Sequence, residues 1–282
     1  MLRIAAMSSP NGPLGGYYDR LSRYNALARF VRRDGGQGRA TVHRFLRPDD
    51  PATDPADTVH ELIAARVADR PPARIFDAGC GLGGTALWLA ARFGASADGV
   101  TLSARQAALA NAEAARRGLD ARCRFRVASY DDALPERHYD LIVAIESLAH
   151  SPDLAASLVN LARALAPGGQ IAVVDDVREP GADPRDAADF VAGWRTPGFL
   201  THAQWQAAFA AAGLRVVYDE DLTARMARRP GFAREALVAL NRAAALLPNA
   251  GWRALLASHH GGLALERLYA RGGASYRLFA AV

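Results

Sequence analysis

The chain predicts an α/β fold: a mostly parallel sheet with helices on both faces. Two observations carry this. From residue 74 to residue 175, apolar runs of strand length alternate with stretches of helical periodicity, and that alternation argues for parallel strands covered on both sides. The first run then passes into Gly79-Cys80-Gly81-Leu82-Gly83-Gly84 and straight into a helical pattern, a strand–turn–helix arrangement. At 282 residues the chain is long enough for a full core, and half its residues are apolar.

The elements follow in order. Residues 1–55 hold two apolar pieces of helical character, around 17–33 and 40–47, before the turn-rich break Asp49-Asp-Pro-Ala-Thr-Asp-Pro55. Residues 57–69 place Val59, Leu62, Ile63 and Val67 on one helical face. Strands are predicted at 74–78, 97–102, 122–128, 139–146 and 169–175, with helices at 84–93, 104–117 and 153–166. Pro167-Gly168-Gly169 supplies a stop between the last of these helices and the fifth strand. After Asp175 the order changes: a helical insert over 186–195, a helix capped by Thr201 and running to Ala212, and a strand over Leu214–Asp219. A helical stretch over 221–270 follows, and Ser275–Val282 reads as a last strand pairing antiparallel with the sixth. The expected organisation is a lid over 1–56, a core over 57–220 with an insert near 180–200, a helical cap over 221–272, and the final core strand over 273–282.

Composition excludes several functions. The net charge of +5 comes entirely from arginine, because the chain has no lysine. Basic residues are spread without a block of five, so nucleic acid is not an expected partner. Cys80 and Cys123 lie far apart without metal-ligand spacing, which fits reduced thiols and a cytoplasmic location, with no metal site expected. The N-terminal apolar stretch is too short for a signal peptide, and no run of 18 apolar residues exists to span a membrane.

The glycine turn on its own is ambiguous, because Gly79, Gly81 and Gly84 also satisfy the G-x-G-x-x-G spacing of dinucleotide-binding proteins. Asp77 separates the readings. A carboxylate two residues before the first glycine can meet the ammonium of a methionine moiety but would repel a pyrophosphate. The acidic residue that holds an NAD ribose at the end of the second strand is also missing. Residues 74–84 resemble motif I of the class I S-adenosylmethionine (SAM) methyltransferases, and Arg163-Ala-Leu-Ala-Pro-Gly-Gly169 is similar to the turn before the fifth strand of that superfamily. The resemblance implies a Rossmann-like seven-stranded sheet with an antiparallel last strand, capped by N-terminal and inserted helices. It implies SAM as cofactor and S-adenosylhomocysteine as product. It is compatible with a homodimer, on which the sequence itself is silent.

Within that resemblance, Gly99-Val-Thr-Leu-Ser-Ala-Arg-Gln106 departs from the commonest pattern, which ends the second strand in an acidic residue. It looks like the variant of cyclopropane fatty acid synthases and of sterol, tocopherol and prenyl-diphosphate methyltransferases. The resemblance assigns the methionine end to Asp77, Gly79, Cys80 and Gly81, with Ile145 beside them. Thr101, the backbone of Leu102 and Gln106 would hold the ribose and methionine ends, with Asp98 as a fallback. Ser129, Tyr130 and Asp131 or Asp132 would border the adenine. Thr101 and Gln106 also read as a strand end and a helix start, and 129–132 as a solvated turn.

Glu146 ends the apolar run Leu141–Ile145, where partial desolvation would raise its pKa and favour a base. Ile145-Glu146-Ser-Leu-Ala-His150 looks like stretches of sterol and prenyl C-methyltransferases, in which an acidic residue removes the proton left after a carbon is methylated. Glu146 and His150 are the candidate catalytic residues; backbone capping and pocket lining are the alternatives. Tyr18, Trp194, Phe199 and His202 are candidates to border a small-molecule acceptor. C-methylation of an isoprenoid-like or ring carbon leads, with O- or N-methylation of a natural product as the rival. A SAM-fold protein without methyl transfer, such as a cyclase, and an NAD-dependent oxidoreductase stay open.

Overall fold

The computed structural model describes residues 43–226 and 250–282, the side chains of 250–255 excepted. Tyr18 and most of the expected lid and cap lie outside them. Helix α1 (Thr58–Arg66) precedes β1 (Arg74–Ala78), α2 (Gly84–Phe93), β2 (Ser96–Thr101), α3 (Ala104–Arg116), β3 (Cys123–Val127) and β4 (Tyr139–Ile145). Then come a 3₁₀ turn (Leu148–His150), α4 (Leu154–Ala164), β5 (Leu165–Arg178), α5 (Pro184–Trp194), α6 (His202–Ala211), β6 (Val216–Asp221), α7 (Ala250–Ala270) and β7 (Ala274–Ala281).

The strands form one seven-stranded sheet in the order β3-β2-β1-β4-β5-β7-β6. The first five run parallel, and β7 is antiparallel to both its neighbours. Strand alternation divides the core into two layers. Ile75, Leu141, Val143, Val174 and Leu278 pack with α1, α2, α3, α5 and α7 on one face. Phe76, Ile142, Ala144, Val173 and Phe279 pack with α4 and α6 on the other. Because both faces are covered, the central strands are buried along almost their whole length, as parallel strands require.

Local chemistry sets the boundaries. Ser103 caps α3 by accepting from the Gln106 N–H, and Asp153 caps α4 by accepting from Ala156. Thr201 and Gln204 form a reciprocal capping box at α6, the cap expected from sequence. One expectation needs correction. Pro167-Gly168-Gly169 does not separate helix from strand: β5 already pairs at Leu165 with Tyr139, and its register shifts before resuming at Gln170 opposite Leu141. The turn is a bulge inside the strand, with Gly168 at φ +74° and Arg70 donating to the Pro167 and Gly168 carbonyls. The last strand pairs antiparallel with the sixth, as expected, and it also inserts between β5 and β6, giving up no edge to solvent on either side.

Phe279 lies fully buried at the centre of β7, stacked on Trp205 of α6 at a centroid distance of 5.9 Å. Phe279→Ala is expected to lower stability by about 3–5 kcal/mol. A urea titration should show a lower midpoint with an unchanged slope; a midpoint equal to wild type would contradict this packing.

Candidate active site

The site lies where the carboxyl ends of β1, β4 and β5 meet, the usual crevice of an open parallel sheet. The turn after β1 forms its floor. Gly79, Gly81 and Gly83 take φ values of +99°, +53° and +81°. A Cβ on Gly79 would stand 2.5 Å from the Ser147 Cβ, and one on Gly83 would stand 2.8 Å from the Phe125 ring, so neither position admits a side chain. The Cys80 N–H donates to Val100, and the Cys80 carbonyl accepts from Gly83, fixing the turn against β2. Burial pushes the Cys80 thiol well up, so it stays protonated.

Asp77 sits beneath this turn, 3% exposed. Burial pushes its carboxyl up to about 7, against the pull of the Ala86 N–H. Its Oδ2 has no hydrogen-bond partner among the described residues. A buried carboxylate oxygen left open beside a bare glycine turn is suited to a cationic ligand.

The neighbouring groups are already tied to one another. The Thr101 hydroxyl donates to Gln106 Oε1 at 2.6 Å and accepts from the Ser103 N–H. Leu102 is half-buried between Thr101 and the capping Ser103. Ser129 Oγ accepts from the Asp131 N–H, the Tyr130 hydroxyl donates to the Ser147 carbonyl at 3.2 Å, and Asp131 accepts from Ser157. Ile145 is half-buried at the end of β4, in register with Val174. Asp98 accepts from the Tyr139 hydroxyl at the first residue of β4, the opposite end from the site.

Glu146 follows β4 directly, at φ +52°, a left-handed conformation that costs a non-glycine residue about 1–2 kcal/mol. Its N–H donates to the Val174 carbonyl. The expected rise in its pKa is reversed. Burial raises it, but the Arg44 guanidinium and N–H, His43 and the Tyr276 hydroxyl together hold the carboxyl below its ordinary value. The Arg44 N–H and the Tyr276 hydroxyl each donate to Oε1 at 2.9 Å, and Arg44 Nη1 lies 3.1 Å from the same oxygen. Arg44 Nη2 also donates to Asp176 at 3.0 Å. Its guanidinium lies 5.1 Å from the Tyr276 ring centroid, 5.4 Å from Trp194 and 5.7 Å from Tyr269. Asp175 accepts from the Ala149 and Asp176 N–H groups, and burial beside Asp176 pushes it up to about 8. Burial drives His150 down to about 4, against the pull of Glu146.

Trp194 therefore reaches the cluster around Glu146. Phe199 does not face open space: it is buried and packs edge-on against Phe190 at 4.8 Å. His202 belongs elsewhere, with its Nε2 2.6 Å from Asp219 on β6 and its ring near Phe279, on the opposite face of the sheet from Trp194. The residues that sequence reasoning missed are Arg44, Asp175, Asp176, Tyr269 and Tyr276. The two aspartates closing the apolar run Ile171–Val174 carry the same strand-end signal that singled out Glu146.

Residues 75–169 match the methyltransferase-domain family Methyltransf_25. An O-methyltransferase of Pyrenophora dematioidea is 30% identical over 192 residues, covering 62% of this chain and 67% of that protein. The chain belongs to the class I SAM-dependent methyltransferases. A tocopherol O-methyltransferase of rice, described as probable and chloroplastic, is 39% identical over 108 residues, covering 38% of this chain and 30% of that protein. The chain thus spans under a third of that relative's length. The solved structure of the [4+2]-cyclase SpnF superposes with a TM-score of 0.73 at 22% identity, covering 95% of this chain and 94% of that one, a likeness of fold. Among the described residues no helix is long and apolar enough to cross a membrane. The open Asp77 oxygen and the glycine turn fit the ammonium end of the family's cofactor.

An ammonium favours ionised Asp77, so SAM affinity should rise as pH climbs through about 7. Titration calorimetry should find a gain on the order of tenfold between pH 5.5 and pH 7.5. Asp77→Asn should bind more weakly and lose that dependence. Equal affinity for wild type and variant at both pH values would contradict the assignment. The sign also bears on the free protein: a carboxyl whose pKa rises on folding loses stability as pH rises from about 4 through 7.

Proposed function

We propose that this protein transfers the methyl group of SAM to a carbon of a small isoprenoid-like or ring acceptor, with Glu146 taking the proton that the carbon releases. SAM, when bound, supplies a methyl group already activated on a sulfonium. Asp77 would hold its ammonium, and the turn at Gly79–Gly83 would admit its backbone closely. In the proposed reaction a carbon–methyl bond forms as the sulfur–methyl bond breaks, and the acceptor's C–H proton passes to Glu146. Alignment of this kind can lower a barrier by roughly 7–11 kcal/mol before any base acts.

The observation that carries the carbon reading is the placement of the Glu146 carboxylate, which follows β4 beside the glycine turn with Arg44 and Tyr276 on its Oε1. A carboxylate held ionised by an adjacent guanidinium is a poor match for the proton of a phenol, but it suffices for the far more acidic proton beside a carbocation. Protonated Cys80, Tyr269 and Tyr276 offer no competing nucleophile there. One observation favours oxygen instead: the relatives from Pyrenophora dematioidea and rice are both named O-methyltransferases.

The test is mass-spectrometric transfer from methyl-labelled SAM to a pooled panel of prenyl alcohols and diphosphates, sterols, phenols and amines, with Glu146→Gln run beside wild type. A carbon-linked product reduced at least a hundredfold in the variant is expected. An oxygen- or nitrogen-linked product that survives the substitution would overturn the carbon reading. SAM retained without any product would place the chain with non-transferring members of the fold.

A further inference from the structure

Every hydrogen bond to the Glu146 carboxylate among the described residues falls on Oε1. The backbone N–H of Arg44 approaches it from the segment before α1, and the Tyr276 hydroxyl approaches from β7. The guanidinium Nη1 adds a third positive contact to the same atom. Among the described residues Oε2 receives no donor, and the Glu146 side chain keeps 14% of its surface exposed. We propose that Arg44 is the positioning residue for Glu146, occupying Oε1 with Tyr276 and leaving Oε2 as the oxygen that meets the acceptor. The proposal rests on the reading of Glu146 as the proton acceptor.

Arg44 is itself held firmly enough to do this. Leu46, two residues on, is fully buried; its N–H donates to the Pro55 carbonyl, and its own carbonyl accepts from the Thr58 hydroxyl. The Arg47 N–H donates to the Arg225 carbonyl, and Leu46 bridges Met226. On the other side, His43 Nε2 lies 2.9 Å from His60 Nε2, which lies 3.1 Å from the Thr85 hydroxyl in the first turn of α2. The segment carrying Arg44 is thereby fastened to α1, to the 3₁₀ turn Thr223–Arg225 that follows β6, and to the helix that follows the glycine turn. The guanidinium cannot drift, because Asp176 takes Nη2 and three aromatic rings surround it.

A residue acting through Glu146 leaves a signature that packing alone does not. Arg44, His43 and Tyr276 act directly on this carboxyl. Asp175, Asp176, His150 and Tyr269 also feel its charge. If Arg44 is removed, burial prevails and the carboxyl must titrate higher. Activity that needs ionised Glu146 is lost as pH falls through its pKa, so the acid limb of kcat should move to higher pH.

Arg44→Met, Arg44→Lys and Tyr276→Phe should be compared with wild type by ¹³C-carboxyl NMR titration of Glu146, by SAM affinity, and by kcat against pH. Arg44→Met is expected to lower kcat about 10–100-fold, to raise the Glu146 titration midpoint, and to leave SAM affinity within about threefold. Arg44→Lys should restore part of kcat, since it keeps the positive charge; the backbone N–H to Oε1 is present in every variant. Tyr276→Phe should shift the midpoint in the same direction by less. If Arg44→Met, which strands Asp176 without its partner, does not fold, Arg44→Lys decides the matter through its own loss of kcat and shift of the Glu146 midpoint. An unmoved Glu146 midpoint in every folded variant overturns the proposal, as does a loss of kcat matched by an equal loss of SAM affinity. Full turnover in Glu146→Gln would sink the base reading instead, while the NMR arm would still report whether Arg44 sets this carboxyl.

Discussion

One buried guanidinium balances the acidic end of this sheet. Glu146 follows β4 and Asp176 lies near the end of the parallel β5 beside it, and both would be costly to bury ionised without a cation between them. Arg44 supplies it, from a segment 102 residues away from Glu146 in the chain. Removing one partner of such a pair usually costs more than the pair ever contributed, because the remaining charge is stranded. The ion pair therefore couples the placement of the segment before α1 to the geometry of Glu146 and Asp176 on the neighbouring strands. Tyr269 and Tyr276 complete the arrangement, donating to Asp176 and Glu146 from the last helix and the last strand.

The topology explains why such distant pieces meet. β1 and β4 are adjacent, so the glycine turn after one lies beside Glu146 after the other. β7 runs antiparallel next to β5, with Tyr276 opposite Asp176 near the crevice. Burial then sorts the ionisable groups by charge. Burial pushes Asp175 up to about 8 and His43 and His150 down to about 4, each toward its neutral form, while Arg44 holds Glu146 below its ordinary value. Asp77 stands apart: among the described residues no cation stands beside it and its Oδ2 is open, and a carboxyl pushed up to about 7 carries a charge responsive to a ligand.

What could be read from the sequence was local. The apolar run 74–78 and the helix 84–93 stand where periodicity and glycine placement put them, and Thr201 caps its helix as its position suggests. The strand end at Glu146 was visible because a carboxylate terminates five apolar residues. Long-range pairing was not visible. The insertion of β7 between β5 and β6, and the absorption of Pro167–Gly169 into a bulge, depend on which backbone groups lie opposite each other across the sheet. Arg44 left no local signal, being one arginine in a chain whose every lysine-type charge is arginine. The pKa of Glu146 turns on the same arginine: its burial is legible in the apolar run before it, but the cation that reverses the effect of burial is not. His202 and Phe199 were aromatic candidates by composition alone, and the fold gave them to the far face and to the core.

A crystal structure with sinefungin, whose amine replaces the transferable methyl group, would test the central claim most directly. The account predicts the amino-acid ammonium within hydrogen-bond distance of Asp77 Oδ2, about 3 Å, and the side-chain amine facing the Oε2 side of Glu146 with Oε1 still held by Arg44 and Tyr276. Sinefungin bound with its amino-acid end away from Asp77, or with Glu146 turned so that Oε1 faces the amine, would contradict it.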